Sequence, residues 1–142
     1  MLYTNTFEIE KGCMENAGYA SSAIKRELKK RNFPKGFIRR ISVASYEAEI
    51  NIVIHSHGGF MYAIIGEDFV ELLFKDTGPG IENIELAMQK GYSTASEYAR
   101  LNGFGAGMGI PNMVEVSDQC NIESNPEGTQ IILRFNVHES DY

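Results

Sequence analysis

The sequence predicts an α+β two-layer sandwich: a mixed, mostly antiparallel sheet with helices on one face. Three observations predict it. Two long runs near the start repeat apolar residues at helical spacing; two short apolar runs follow around Gly66-Glu67-Asp68; and two more strand-like runs close the chain around Asn125-Pro126-Glu127-Gly128.

Taken in order, Tyr3, Phe7 and Ile9 share one parity among Thr4 and Thr6, which predicts a first strand with one apolar face. From Met14 to Arg31, Ala17, Ala20, Ile24 and Leu28 recur at helical spacing with Lys and Arg opposite, giving an amphipathic helix that stops before Asn32 and Pro34. Residues Asn32 to Gly36 read as a loop. A second helix runs from about Phe37 to Ser56, with Ile41, Ala48, Ile52 and His55 near one stripe and Ile38, Val43, Ile50, Val53 and Ile54 around it, so it is expected to be buried on several sides. His57-Gly58-Gly59 ends it. Phe60–Ile65 and Phe69–Phe74 then form a hairpin whose second strand leads into Asp76. A short helix is expected over Ile81–Lys90, and Gly91–Gly109, with its five glycines, reads as a functional loop or lid. A helix restarts near Gly109 and ends about Val116, before strands at Gln119–Ser124 and Thr129–Val137.

With 142 residues, 43% hydrophobic and 23% charged, the whole of 1–142 is expected to form one globular domain. The net charge of -6 opposes a nucleic-acid partner, since phosphate binding depends on many Lys and Arg contacts. The first third departs from that balance: Lys25, Arg26, Lys29, Lys30, Arg31, Arg39 and Arg40 form either a solvated basic face or a docking surface for an acidic protein. Cys13 and Cys120 lack metal-ligand spacing and are too few for a disulfide framework, so reduced thiols in a cytoplasmic protein are expected. Met1 to Glu10 lacks the apolar core of a signal peptide, and no apolar run nears the roughly 20 residues of a membrane span. No membrane partner is expected.

Three segments have chemical potential. Glu47 and Asn51, four residues apart, project from one helix face; they form either a solvated or capping contact, or hard-oxygen support for a hydrated Mg2+ beside a nucleotide. Asp76-Thr77-Gly78-Pro79-Gly80 follows a buried-looking strand and is either a tight turn or a carboxylate placed for an exocyclic amine, with glycines that admit a flat base. Gly103-Phe104-Gly105-Ala106-Gly107-Met108-Gly109 precedes a helix, where backbone N–H groups and the helix N-terminus suit phosphates; a flexible hinge is the other reading. No strand leads directly into it and no Gly-Lys-Ser/Thr ends it, so neither a dinucleotide fingerprint nor a P-loop is present.

These segments and Gly128-Thr129 occur in an order that resembles the GHKL superfamily of gyrase, heat-shock chaperone ATPases, histidine kinases and MutL. Glu47-x-x-x-Asn51 is similar to its N box, Asp76-x-Gly78-x-Gly80 to its G1 box, Gly105-x-Gly107-x-Gly109 to its G2 box and Gly128-Thr129 to its Gly-Thr motif. The resemblance covers nearly the whole chain and is strongest to the bacterial anti-sigma-factor serine kinases, whose ATP-lid entry the stretch Ala87 to Thr94 also resembles. It implies the Bergerat ATP-binding fold. It further implies ATP and Mg2+ as cofactors, with Asn51 on the metal, Asp76 on the adenine amine, and Gly78 and Gly80 against the base. Gly105, Gly107 and Gly109 would hold phosphates, with Gly103, Met108 and Thr129 completing the nucleotide pocket, and Glu47 would act as general base. The implied function is a serine/threonine protein kinase acting with a sigma factor or its antagonist. The alternative is a non-catalytic switch gated by ATP or ADP, favoured by Thr94-Ala95-Ser96-Glu97, where a basic lid residue is expected; Lys90 and Arg100 are the nearby cations. The basic first helix and the edge of the first strand are candidate docking or homodimer surfaces.

Overall fold

A computed structural model describes residues 2–12, 17–78 and 109–142, with His55 by its backbone alone. In chain order the elements are β1 (Tyr3–Ile9), α1 (Tyr19–Lys30), α2 (Lys35–His55), β2 (Gly59–Ile65), β3 (Phe69–Asp76), α3 (Gly109–Val116), β4 (Gln119–Asn125), β5 (Gly128–Asn136) and a 3-10 turn (Glu139–Asp141). The strands form one sheet in the order β1-β2-β3-β5-β4. Each of its four pairings is antiparallel, so the described residues contain no parallel component.

Register decides where the core lies. Phe7, Met61, Phe74 and Ile131 occupy one row across β1, β2, β3 and β5, and Ala63, Leu72 and Leu133 occupy another. Alternate residues share a face, and these rows share theirs with Ile65, Val70 and Phe135. On that face Leu28 and Ile24 of α1, Phe37, Ile41, Ala48 and Ile52 of α2, and Met113 of α3 join the strand residues in one buried cluster. This is the expected two-layer α+β arrangement with helices on one face. Burying each such Leu, Ile or Phe contributes about 1.5–3 kcal/mol, which favours this register over a one-residue slip that would turn every strand side chain over.

α1 begins at Tyr19, later than the expected Met14, because Gly18 stands at φ 91°, outside helical space; residues 14–16 lie outside those described. α2 starts at Lys35, directly after Pro34. The helix expected over Ile81–Lys90 and the glycine-rich stretch up to Met108 also lie outside the described residues.

An arginine ties the far end of the molecule together. Arg40 on α2 donates from Nε and Nη2 to the two carboxylate oxygens of Asp141 (3.0 and 2.8 Å), from Nη1 to the Val116 carbonyl at the end of α3 (2.9 Å), and from Nη2 to the Asn136 carbonyl at the end of β5 (2.8 Å). Asp118 adds a longer contact to Arg40, accepts the Asn136 N–H and pairs with His138.

Candidate nucleotide site

Helix α2 is held on two flanks by carboxylates two residues apart. Glu49, only 2% exposed, faces α1. Its Oε2 accepts the N–H groups of Gly18 (2.9 Å) and Ala20 (3.3 Å), and its Oε1 accepts the N–H (2.9 Å) and hydroxyl (2.7 Å) of Ser21. Gly18 caps α1 with no side chain of its own, so the carboxylate of α2 satisfies N–H groups that the helix start leaves unpaired. Helical geometry puts Glu47 on another flank, towards α3. There Glu47 is half-buried; burial pushes its carboxyl above the ordinary carboxylate range, and a hydrogen bond from the Asn112 side chain of α3 pulls it back in part. Asn51, also half-buried, follows one turn later on the Glu47 flank.

The end of β3 meets two other segments. Burial pushes the Asp76 carboxyl upward, opposed by the Thr129 N–H, which donates to Asp76 Oδ1 at 2.9 Å, and by the nearby His57. The Gly78 N–H donates to the Glu127 carbonyl (2.6 Å), the Thr77 N–H to the Gly58 carbonyl (3.1 Å) and the His57 N–H to the Thr77 carbonyl (3.0 Å). Residues 76–78 are thereby fastened both to the segment leaving α2 and to the β4–β5 turn. Two glycines permit this closeness. A Cβ on Gly128 would stand 2.2 Å from the Asp76 carbonyl oxygen, and one on Gly78 would stand 2.6 Å from that of Pro126.

Of the residues singled out from sequence, Asp76, Gly78 and Thr129 thus come together, while Glu47 meets α3, whose first residue is Gly109. The Thr129 side chain is buried and its hydroxyl shares a 2.8 Å hydrogen bond with Ser124, so Thr129 reaches Asp76 through its backbone. Gly80, Gly103, Gly105, Gly107 and Met108 lie outside the described residues. No group of three or more His, Cys, Asp or Glu among the described residues is placed to hold a metal ion, and no described helix is long and apolar enough to cross a membrane. Sequence reasoning missed Glu49 and Asn112. The available signal was a polar side chain on each of two apolar helices, since a buried polar group requires a partner.

A profile of the histidine kinase-like ATPase domain matches residues 14–135. An anti-sigma F factor of Pasteuria penetrans is 30% identical over 136 residues, covering 89% of this chain and 87% of its own length. One of Clostridium kluyveri is 27% identical over 141 residues, 94% of this chain and 95% of its own. One of Halalkalibacterium halodurans is 32% identical over 101 residues, 66% of either chain. The sheet with its helices on one face is consistent with that ATPase fold, and the profile match spans most of the sequence. The chain therefore belongs to the histidine kinase-like ATPase domain family, with relatives among the anti-sigma factors.

Proposed function

We propose that this protein is a Mg-ATP-binding regulator of the anti-sigma-factor kind, which holds a transcription-regulatory protein and phosphorylates a serine on that protein's antagonist. The observation that supports it best is the state of Asp76. Its carboxylate is half-buried at a strand end, Oδ1 is steadied by the Thr129 N–H, and Oδ2, which accepts no hydrogen bond among the described residues, suits an exocyclic amine such as that of adenine. The close-packed Gly78 and Gly128 hold the β4–β5 turn against the end of β3 and so fix the place of that carboxylate. Gly80 would lie against the base. Gly103, Gly105, Gly107, Met108 and the start of α3 at Gly109 would receive the phosphates. Asn51 supplies one hard oxygen, which suits Mg2+ because that ion keeps waters and phosphate oxygens as its remaining ligands.

With ATP and a serine-bearing partner bound, Glu47 would take the hydroxyl proton as the serine oxygen accepted the γ-phosphoryl group, with ADP as the leaving group. A carboxylate whose proton affinity is raised by burial is a better base than an exposed one. The protein's contribution is otherwise positioning and charge. A second reading, a nucleotide-gated switch without chemistry, is favoured by Thr94-Ala95-Ser96-Glu97, which lacks the cation expected in a kinase lid.

Calorimetry with Mg-ATP and transfer of radiolabelled phosphate to a serine-bearing partner test both. Asp76→Asn should weaken ATP binding at least tenfold, about 1.4 kcal/mol. Glu47→Ala should keep affinity within about tenfold while transfer is lost. Nucleotide-dependent partner binding without a covalent product selects the switch, and absence of both heat and a melting shift with Mg-ATP removes nucleotide binding altogether.

A further inference from the structure

The outer surface of the helical layer has a pattern that nucleotide binding leaves unused. α1 and α2 are joined by residues 31–34, and Glu49 late in α2 clasps the start of α1, so the end of α1 lies beside the start of α2. Lys25, Arg26, Lys29 and Lys30 are exposed on α1, and Lys35 and Arg39 are exposed on α2. None of the six has an ion-pair partner among the described residues; Glu27, the one carboxylate within α1, is taken by Arg31 at 2.9 Å. Towards the other end of the same pair of helices, Tyr19 is 64%, Val43 37% and Tyr46 36% exposed, with the Tyr46 ring packed against Gly18. The surface therefore has a cationic end and an apolar end.

Folding does not account for this distribution. Cations in the last turn of α1 favour its helix dipole, which explains Lys29 and Lys30, but Lys35 stands in the first turn of α2, where a cation is unfavourable and no acid offsets it. The i,i+4 pairs Lys25/Lys29 and Arg26/Lys30 each cost about 0.2–0.5 kcal/mol. These six are drawn from 13 Lys and Arg in a chain of net charge -6. A long polyanion reaching beyond the patch would meet the acidic remainder of the molecule, whereas a short acidic segment would not. α1 is only about 18 Å long at 1.5 Å per residue, a span that another helix of similar length can match.

We propose that the α1–α2 surface docks an acidic amphipathic helix of a protein partner, its apolar side chains on Tyr19, Val43 and Tyr46 and its carboxylates along the six cations. The inference rests on the reading of a partner-binding regulator for the nature of the ligand and is independent of nucleotide. The probe is a fluorescent peptide of about three heptads with Leu at the core positions and Glu elsewhere, titrated into the full, isotope-labelled chain. Amide shifts should be confined to residues 18–46, and affinity should fall at least tenfold in Lys29→Glu/Lys30→Glu and several-fold in Tyr19→Ser/Val43→Ser. A peptide of the same composition, scrambled to remove its apolar stripe, should bind at least tenfold more weakly. Shifts centred elsewhere, equal binding of the scrambled peptide, or no binding at about 1 mM would overturn the proposal. So would tighter binding of a single-stranded oligonucleotide or of phosphatidylglycerol vesicles to the same residues. Calorimetry with Mg-ATP on the parent and the charge-reversed variant keeps the two readings apart, since the nucleotide site can fail while the peptide still docks, and the reverse.

Discussion

Replacing Glu49 tests how strongly the candidate site depends on a residue that faces away from it. In Glu49→Gln one oxygen persists as an acceptor for Ser21, but the new amide N–H group must face the N–H groups of Gly18 and Ala20, donor against donor. Two hydrogen bonds to a charged acceptor are lost, each worth about 1.5–3 kcal/mol, and the favourable charge at a helix N-terminus adds about 0.3–1 kcal/mol. Part of that loss is recovered, because the parent bears the cost of burying an ionised group and the amide does not. A net destabilisation of about 2–4 kcal/mol follows. Urea unfolding followed by far-ultraviolet circular dichroism measures it, which suits a chain with no tryptophan. Glu49→Ala should cost at least as much, because three N–H groups and the Ser21 hydroxyl lose their acceptor. Ser21→Ala should cost less, and in a double-mutant cycle it should couple to Glu49→Ala by about 1 kcal/mol. A Glu49→Gln protein within about 0.5 kcal/mol of the parent would refute the claim that this carboxylate caps α1.

Two further outcomes are expected. Gly128→Ala should destabilise the protein by at least about 2 kcal/mol and abolish the proposed Mg-ATP binding, because its Cβ would stand 2.2 Å from the Asp76 carbonyl oxygen and part the turn from β3; calorimetry together with thermal melting checks this. The hydrogen bond from Arg40 holds the Asp141 carboxyl below its ordinary value of 3.8, and hydrogen bonds from Asn136, His138 and Arg40 outweigh burial to hold Asp118 below its own. Folded values lowered in this way give stability that is present above pH 3.8 and is lost as the pH falls through them. Asp141→Asn should therefore be about 1–3 kcal/mol less stable at neutral pH and lose less on acidification below about pH 4, as read from urea midpoints across that range; an unchanged acid slope would count against the pairing.

The parts of the fold that sequence reveals are those governed by local periodicity. Ile24 and Leu28, or Leu72 and Phe74, announce their buried faces by spacing alone, and Gly66-Glu67-Asp68 marks a turn between runs of like parity. Helix starts are less visible. Nothing in Ala17-Gly18-Tyr19 discloses that Gly18 takes a left-handed conformation, so the helical pattern could be extended backwards through it. In the candidate site, Asp76 and Glu47 stand out by residue type and context, whereas Glu49 reads as one more acid on a helix because its partners lie some thirty positions earlier. Asn112 is hidden for the same reason: a hydrogen bond between α2 and α3 depends on how two helices pack, which neither segment specifies by itself. Thr129 shows the limit of motif reading. Its position is conspicuous, yet the group that meets Asp76 is its main-chain N–H, a role that any residue except proline could fill.

Because α2 is gripped on two flanks, it cannot turn about its own axis without breaking one grip or the other. A rotation of even a fraction of 100°, the angle between successive residues, would carry Glu47 away from Asn112 and Glu49 away from the start of α1 together. The helix behaves as a keyed shaft, with the aim of Glu47 and Asn51 set partly by a lock on the opposite side. A substitution at Gly18 or Ser21, on the α1 side of α2, would then alter the candidate site by loosening that lock.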